Sequence, residues 1–267
     1  MLEKRETAAF DSLKSYVERI NALNGGTSSS LFVIQNRAIV AEHYSGTHSD
    51  EAGARATGCD SQYNVASVRK SYIGFAAAWA LNEGAIRSFD DPILEYMPLV
   101  QEDRELLIGV TIRHLLTHTH GLVRDESGRL VRAFSPGNKW DYNNEGIQLL
   151  TDILTEALNT TVAELLASKV FRPLGWRETG WRSEYSEELV LVMQEGRASL
   201  PLNPRVDGSR ENLFVSAREL AYWGYLHLNG GKIAGRTHVP EQVIRNATTV
   251  QTQGQLPPDQ PGTVACG

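Results

Sequence analysis

Cysteine is scarce. The chain's two, Cys59 and Cys266, form neither a Cys-x-x-Cys pair nor a metal-ligand spacing. That excludes a disulfide framework and a zinc site built on thiolates, and it fits a reducing compartment. Long apolar runs are also missing: the longest, Ile73 to Leu81, is broken by Gly74 and too short to span a bilayer. The N-terminal stretch MLEKRETAAFDSLKSYVERINALNGG has no apolar h-region and no small-residue cleavage site, so it does not read as a signal peptide. A soluble cytoplasmic protein is expected. Basic charge is not in excess: 26 Lys and Arg stand against 32 Asp and Glu, a net charge of -6. No positive field is offered to a phosphate backbone, so nucleic acid is not expected as a partner. G-x-S-x-G, H-E-x-x-H, Walker and G-x-G-x-x-G motifs are all absent.

What is present is an ordinary globular composition, 41% hydrophobic and 22% charged over 267 residues, long enough for one large domain or two interleaved ones. Phe10, Leu13, Val17 and Ile20 share one helical face, with Gly25 and Gly26 as the stop. SLFVIQNRAIVAEHYSG gives two apolar, β-branched runs around Gln35, Asn36 and Arg37, the pattern of a hairpin. The period then turns helical: residues 67–83 ending at Gly84, a short helix from Thr111 to about Thr117, and Glu145 to Leu158. Thr161 with Glu164 and Ser216 with Glu219 read as capping boxes, and FRPLG closes the first of those helices. The span 127–146 is rich in turn formers and reads as a loop. The expected organisation is a single domain over 1–267: helix and hairpin over 1–64, a mainly helical region over 65–248, and an irregular tail over 249–267.

Three clusters could carry chemistry. Ser67 and Lys70 stand three apart at the mouth of the apolar run, and positions i and i+3 share a helical face. A helix starting there aims backbone N–H groups and its positive end at the serine, and apolar surroundings favour a neutral amine able to take a hydroxyl proton. The plainer alternative is an N-cap serine followed by a solvated lysine. In KWDYNNEG, Tyr142 and Asn144 are two apart. A phenol beside an ammonium can act as a general base, and an amide can orient a carbonyl; equally, the tyrosine could anchor a loop and the asparagine could cap the next helix. His118 and His120 form an H-x-H pair. No cluster of ligands stands near them, so they read as loop hydrogen-bonders rather than metal ligands.

In this order, SVRK, LLTHTHGL and YNN resemble the serine hydrolases of the β-lactamase and penicillin-binding-protein superfamily, especially the class C β-lactamase-like branch. LNEGAIRSFDDPILEYMP, VFRPLGWRETGW and LAYWGYLHLNGGKIAGRTHVP are similar to later parts of that branch, so the likeness runs from about residue 30 to about 248. The resemblance implies an α+β fold, a helical domain plus an antiparallel sheet. It implies Ser67 as acylated nucleophile, Lys70 as its activating partner, Tyr142 as base or proton shuttle and Asn144 as a substrate-orienting amide. It also implies no cofactor and no metal, and a small-molecule ester or amide substrate, since the branch includes carboxylesterases, D-amino-acid peptidases and amidases. One departure stands out: the family's third motif, Lys-Thr-Gly or His-x-Gly, does not occur after residue 144, and GKIAG has the wrong spacing. The chain is therefore expected to be a C-terminally truncated copy with an incomplete sheet and weakened catalysis. A lost oxyanion donor costs about 2.7–4 kcal/mol, on the order of a hundred to a thousandfold in turnover. The rival expectation is a non-catalytic ligand-binding protein on the same scaffold.

Overall fold

The computed structural model describes residues 2–97, 104–194 and 196–252, so Cys266 and most of the tail anticipated over 249–267 lie outside the described residues. The chain forms two compact units, each assembled from separated segments. The first comprises 1–66, 167–206 and 210–239; the second comprises 67–166, 207–209 and 240–267.

The first unit opens with β1 (Glu3–Lys4), α1 (Asp11–Leu23), β2 (Ser28–Gln35), β3 (Ala38–Gly46) and β4 (Gln62–Asn64). α1 ends before Gly25, whose φ of 69° is left-handed; of the expected face, Phe10, Val17 and Ile20 are half-buried and Leu13 is exposed. β2 and β3 pair antiparallel with Gln35 opposite Ala38. Only Asn36 and Arg37 lie between them, both with positive φ (50° and 63°), as a two-residue hairpin turn matched to strand twist requires. β1 adds to β3 in parallel, giving the order β1-β3-β2.

The second unit is helical: α2 (Arg69–Glu83), α3 (Arg104–Leu107), α4 (Ile112–Leu116), α5 (Glu145–Leu158) and α6 (Val162–Leu166), with one small ribbon of β5 (Leu122–Arg124) and β6 (Leu130–Arg132). α2 is buried nearly all round, from Tyr72 and Ile73 through Phe75 to Ala80, which makes it the unit's central helix. α5 lies against it and α4 against α5. Leu115, Leu116, Leu150 and Leu154, each fully or almost fully buried, belong to those neighbours. The span 127–146, read as a loop, holds β6; a three-residue strand is too short to leave a period in the sequence.

The chain then returns to the first unit with α7 (Arg172–Leu174), β7 (Gly180–Trp181), β8 (Val192–Gln194), β9 (Arg197–Ser199), β10 (Leu213–Ser216), α8 (Ala217–Leu228), β11 (Lys232–Ile233) and β12 (Arg236–Thr237). β10 is the centre of an antiparallel sheet ordered β4-β10-β7, and α8 packs on β2, with the Tyr222 ring 6.1 Å from Phe32. Ser216 caps α8 by accepting from the Glu219 N–H at 3.1 Å. The reciprocal half of the expected box is replaced. The Glu219 carboxylate accepts instead from the Arg177 and Glu178 N–H groups and the Thr179 hydroxyl, at 2.6–3.0 Å, so it organises the turn before β7. Three donors from one turn outcompete the single cap N–H. Last, α9 (Glu241–Thr248) belongs to the second unit and packs on α2.

Candidate active site

Ser67 sits in the middle of a short 3-10 turn, Ala66–Val68, that leads directly into α2. Residue Ala66 has φ 43°, a left-handed conformation costly for a residue with a Cβ and recurrent at functional turns. Asn64 holds it there: its Oδ1 accepts from the Ala66 N–H at 3.0 Å. The sharp turn leaves Ser67 exposed while Lys70, one turn on, is only 2 % exposed. Residues i and i+3 eclipse in a 3-10 turn, and the Lys70 Nζ donates to the Ser67 Oγ at 3.0 Å.

The same Nζ donates to the Tyr142 hydroxyl at 2.7 Å, so one ammonium joins a serine and a tyrosine 75 residues apart. The segment carrying Tyr142 is tied to the turn after α4 through its backbone. Ala133, Gly137 and Asp141 N–H groups donate to the carbonyls of Gly121, Thr119 and His118 at 2.8–2.9 Å. Gly121 is obligatory in this lacing, since its φ is 74° and a Cβ there would lie 2.0 Å from the Phe134 carbonyl oxygen. Burial alone would raise the Tyr142 phenol. The hydrogen bond from Lys70, that of Ser67 and the nearby charges of Lys70 and Arg69 outweigh it and hold the phenol below its ordinary value. A phenol so placed is a ready proton acceptor.

Asn144, the other member of the pair read from the sequence, is exposed at the start of α5 and makes no side-chain cap there. Its neighbour Asn143 does the local work: Oδ1 accepts from the Glu145 N–H at 3.0 Å and Nδ2 donates to the Leu122 carbonyl at 3.2 Å. In Tyr-Asn-Asn, nothing in the residue types tells which amide turns inward.

The two histidines stand in different surroundings. His120 does bond within its loop, its Nδ1 accepting from the Leu122 N–H at 3.0 Å. His118 is buried, and its ring centroid lies 4.6 Å from that of Tyr142. Trp140 completes the set, 6.4 Å from His118 edge-on and 6.2 Å from Tyr142. Burial, with smaller contributions from His120 and Lys70, lowers His118 to about 4, and burial likewise lowers His120 to about 4; both are neutral near pH 7. The grouping of three rings from two loops has no local signature, which is why sequence reasoning missed Trp140 and the role of His118. Among the described residues no group of three or more His, Cys, Asp or Glu is placed to hold a metal ion, and no helix is long and apolar enough to cross a membrane.

Residues 13–263 match the family described as Beta-lactamase. An uncharacterized protein of Alkalihalophilus pseudofirmus is 41% identical over 261 residues, 97% of this chain and 76% of that protein. Esterase EstB of Burkholderia gladioli is 28% identical over 172 residues, covering 52% of this chain and 43% of the esterase. The chain thus matches less than half the length of that relative. The crystal structure of D-alanine carboxypeptidase AmpC from Burkholderia cenocepacia superimposes with a TM-score of 0.75 at 17% identity, over 89% of this chain and 68% of that one. The likeness to it is one of fold, helices with small antiparallel sheets.

Proposed function

The chain belongs to the beta-lactamase family, and from that premise we propose that it is a serine hydrolase that cleaves a small ester or amide through an acyl-enzyme formed on Ser67. The observation that carries this reading is the buried Lys70 Nζ, 3.0 Å from the Ser67 Oγ and 2.7 Å from the Tyr142 hydroxyl. In the proposed reaction the Ser67 Oγ bonds to the substrate carbonyl carbon as its proton passes to the Tyr142 phenolate, while the Lys70 ammonium stabilises the charges on both oxygens. The start of α2 offers backbone N–H groups where the oxyanion forms. Collapse breaks the ester or amide bond, and the leaving oxygen or nitrogen takes the proton from Tyr142. Water then attacks the acyl-enzyme, giving its proton back through the same phenol and freeing Ser67. Asn144, exposed and two residues after Tyr142, is assigned to the substrate carbonyl or amide.

The esterase relative supports a small ester as the first substrate to test. The rival reading keeps the scaffold for ligand binding: Ser67 is acylated but the acyl-enzyme persists, as in a ligand sensor. Hydrolysis of a short-chain p-nitrophenyl ester by the wild type and by Ser67→Ala separates the readings. Steady turnover abolished by Ser67→Ala supports the hydrolase. One equivalent of p-nitrophenol followed by arrest supports the sensor. Equal rates in the two proteins exclude Ser67 as the nucleophile.

A further inference from the structure

We propose that His118 is a positioning residue for Tyr142, an aromatic ring that backs the phenol and keeps its hydroxyl on the Lys70 Nζ. This rests on the reading of Ser67, Lys70 and Tyr142 given above.

The geometry is specific. Tyr142 is half exposed, 48 %, and a side chain with that much freedom would sample rotamers that leave Lys70. Two features restrain it. The His118 carbonyl accepts from the Asp141 N–H at 2.9 Å, fixing the backbone one residue before Tyr142, and the His118 ring lies 4.6 Å from the phenol ring at an angle of 45°. Residue His118 itself has a left-handed φ of 56°. A bulky ring on a left-handed backbone, buried and held against the phenol, points to a task at this position.

Neutrality is part of the task. The charged or titratable groups facing this pair are Lys70 and Arg69 on α2, and His120 and Asp141 on the two laced loops. A cation on His118 would repel the Lys70 ammonium that holds the phenol, whereas a neutral ring adds contact without competing for the hydroxyl's partner. The role therefore requires an aromatic ring and not an imidazole nitrogen. His118→Phe should keep it and His118→Ala should lose it.

The experiment measures pre-steady-state acylation of Ser67 by p-nitrophenyl acetate from pH 5 to 10 in wild type, Ser67→Ala, His118→Ala and His118→Phe, with thermal unfolding of each. If the wild type releases no Ser67-dependent p-nitrophenol, the serine hydrolase reading fails and the positioning role falls with it. If it does, His118→Ala is expected to acylate roughly 10- to 100-fold more slowly. Its substrate KM should be little changed, and its pH–rate rise should move upward as the phenol leaves Lys70. His118→Phe should recover most of the rate with the wild-type pH profile. A folded His118→Ala with wild-type rate and profile overturns the proposal, and so does a folded His118→Phe as slow as Ser67→Ala. Should His118→Ala fail to fold, the Phe variant alone decides between those outcomes.

Discussion

In the proposed reaction Lys70 is the residue on which the chemistry turns, because its buried Nζ donates to both the Ser67 and the Tyr142 hydroxyls. The Tyr142 phenol, held below its ordinary value of 10.0 mainly by Lys70 against the opposing pull of burial, is active as a base only when deprotonated. The acylation rate is therefore expected to climb as pH rises through that lowered value. Lys70→Ala should move the climb upward toward the ordinary tyrosine range, and Tyr142→Phe should abolish it while slowing acylation by roughly 10²- to 10⁴-fold. A stopped-flow pH–rate profile on the three proteins checks this; an unmoved limb in Lys70→Ala would show that some other base acts. At this scale the sequence was legible where residues were close. Ser67 and Lys70 meet because three residues make one turn. Tyr142 was found by its order after SVRK, while His118 against Tyr142 was invisible, since ring stacking between loops follows from tertiary packing.

The elements explain how those side chains stay in place. α2 ends where Gly84 takes a φ of 75°, as Gly caps do, and it begins in the turn that exposes Ser67. α4 carries a complete capping box in which Thr111 Oγ1 accepts from the His114 N–H while His114 Nδ1 accepts from the Thr111 N–H. Histidine takes the part usually given to Glu or Gln, so the sequence showed the helix but not its cap. α5 begins against His120, whose ring approaches Gly146 so closely that a Cβ would lie 2.4 Å from its Nε2. His120 is buried and bonded to the Leu122 N–H, so a methyl at Gly146 would have to displace a packed ring. Gly146→Ala is expected to destabilise the protein by about 1–3 kcal/mol, to shift the start of α5, and to slow acylation because Tyr142 lies four residues away. Urea unfolding beside acylation kinetics tests this; unchanged stability would mean that the ring moves freely. The longer helices α1, α2 and α5 were readable because their apolar periods are long, whereas α3 and α9 were not anticipated. The small ribbons β5-β6 and β8-β9 were not, since strands of three residues carry no period, and Glu219 was misread because its carboxylate answers a turn some 40 residues away.

Across the whole molecule, the family and the fold were recoverable from the order of SVRK, LLTHTHGL and YNN, but the division into two units built from separated segments was not marked by any linker. Composition does not reveal that residues 167–239 pair back with the opening strands, because β10 meets β4 only after some 150 intervening residues. The account of function rests on the second unit, which holds Ser67, Lys70, His118, Tyr142 and Asn144 together. Its central claim is that Lys70 and Tyr142 make Ser67 a nucleophile. The most direct measurement is the intact mass of the protein after brief exposure to a fluorophosphonate at pH 8, with peptide mapping of the adduct. The prediction is one adduct per chain, on Ser67, formed far more slowly in Lys70→Ala and Tyr142→Phe. An unlabelled wild type, a label elsewhere, or equal labelling in all three proteins would contradict it.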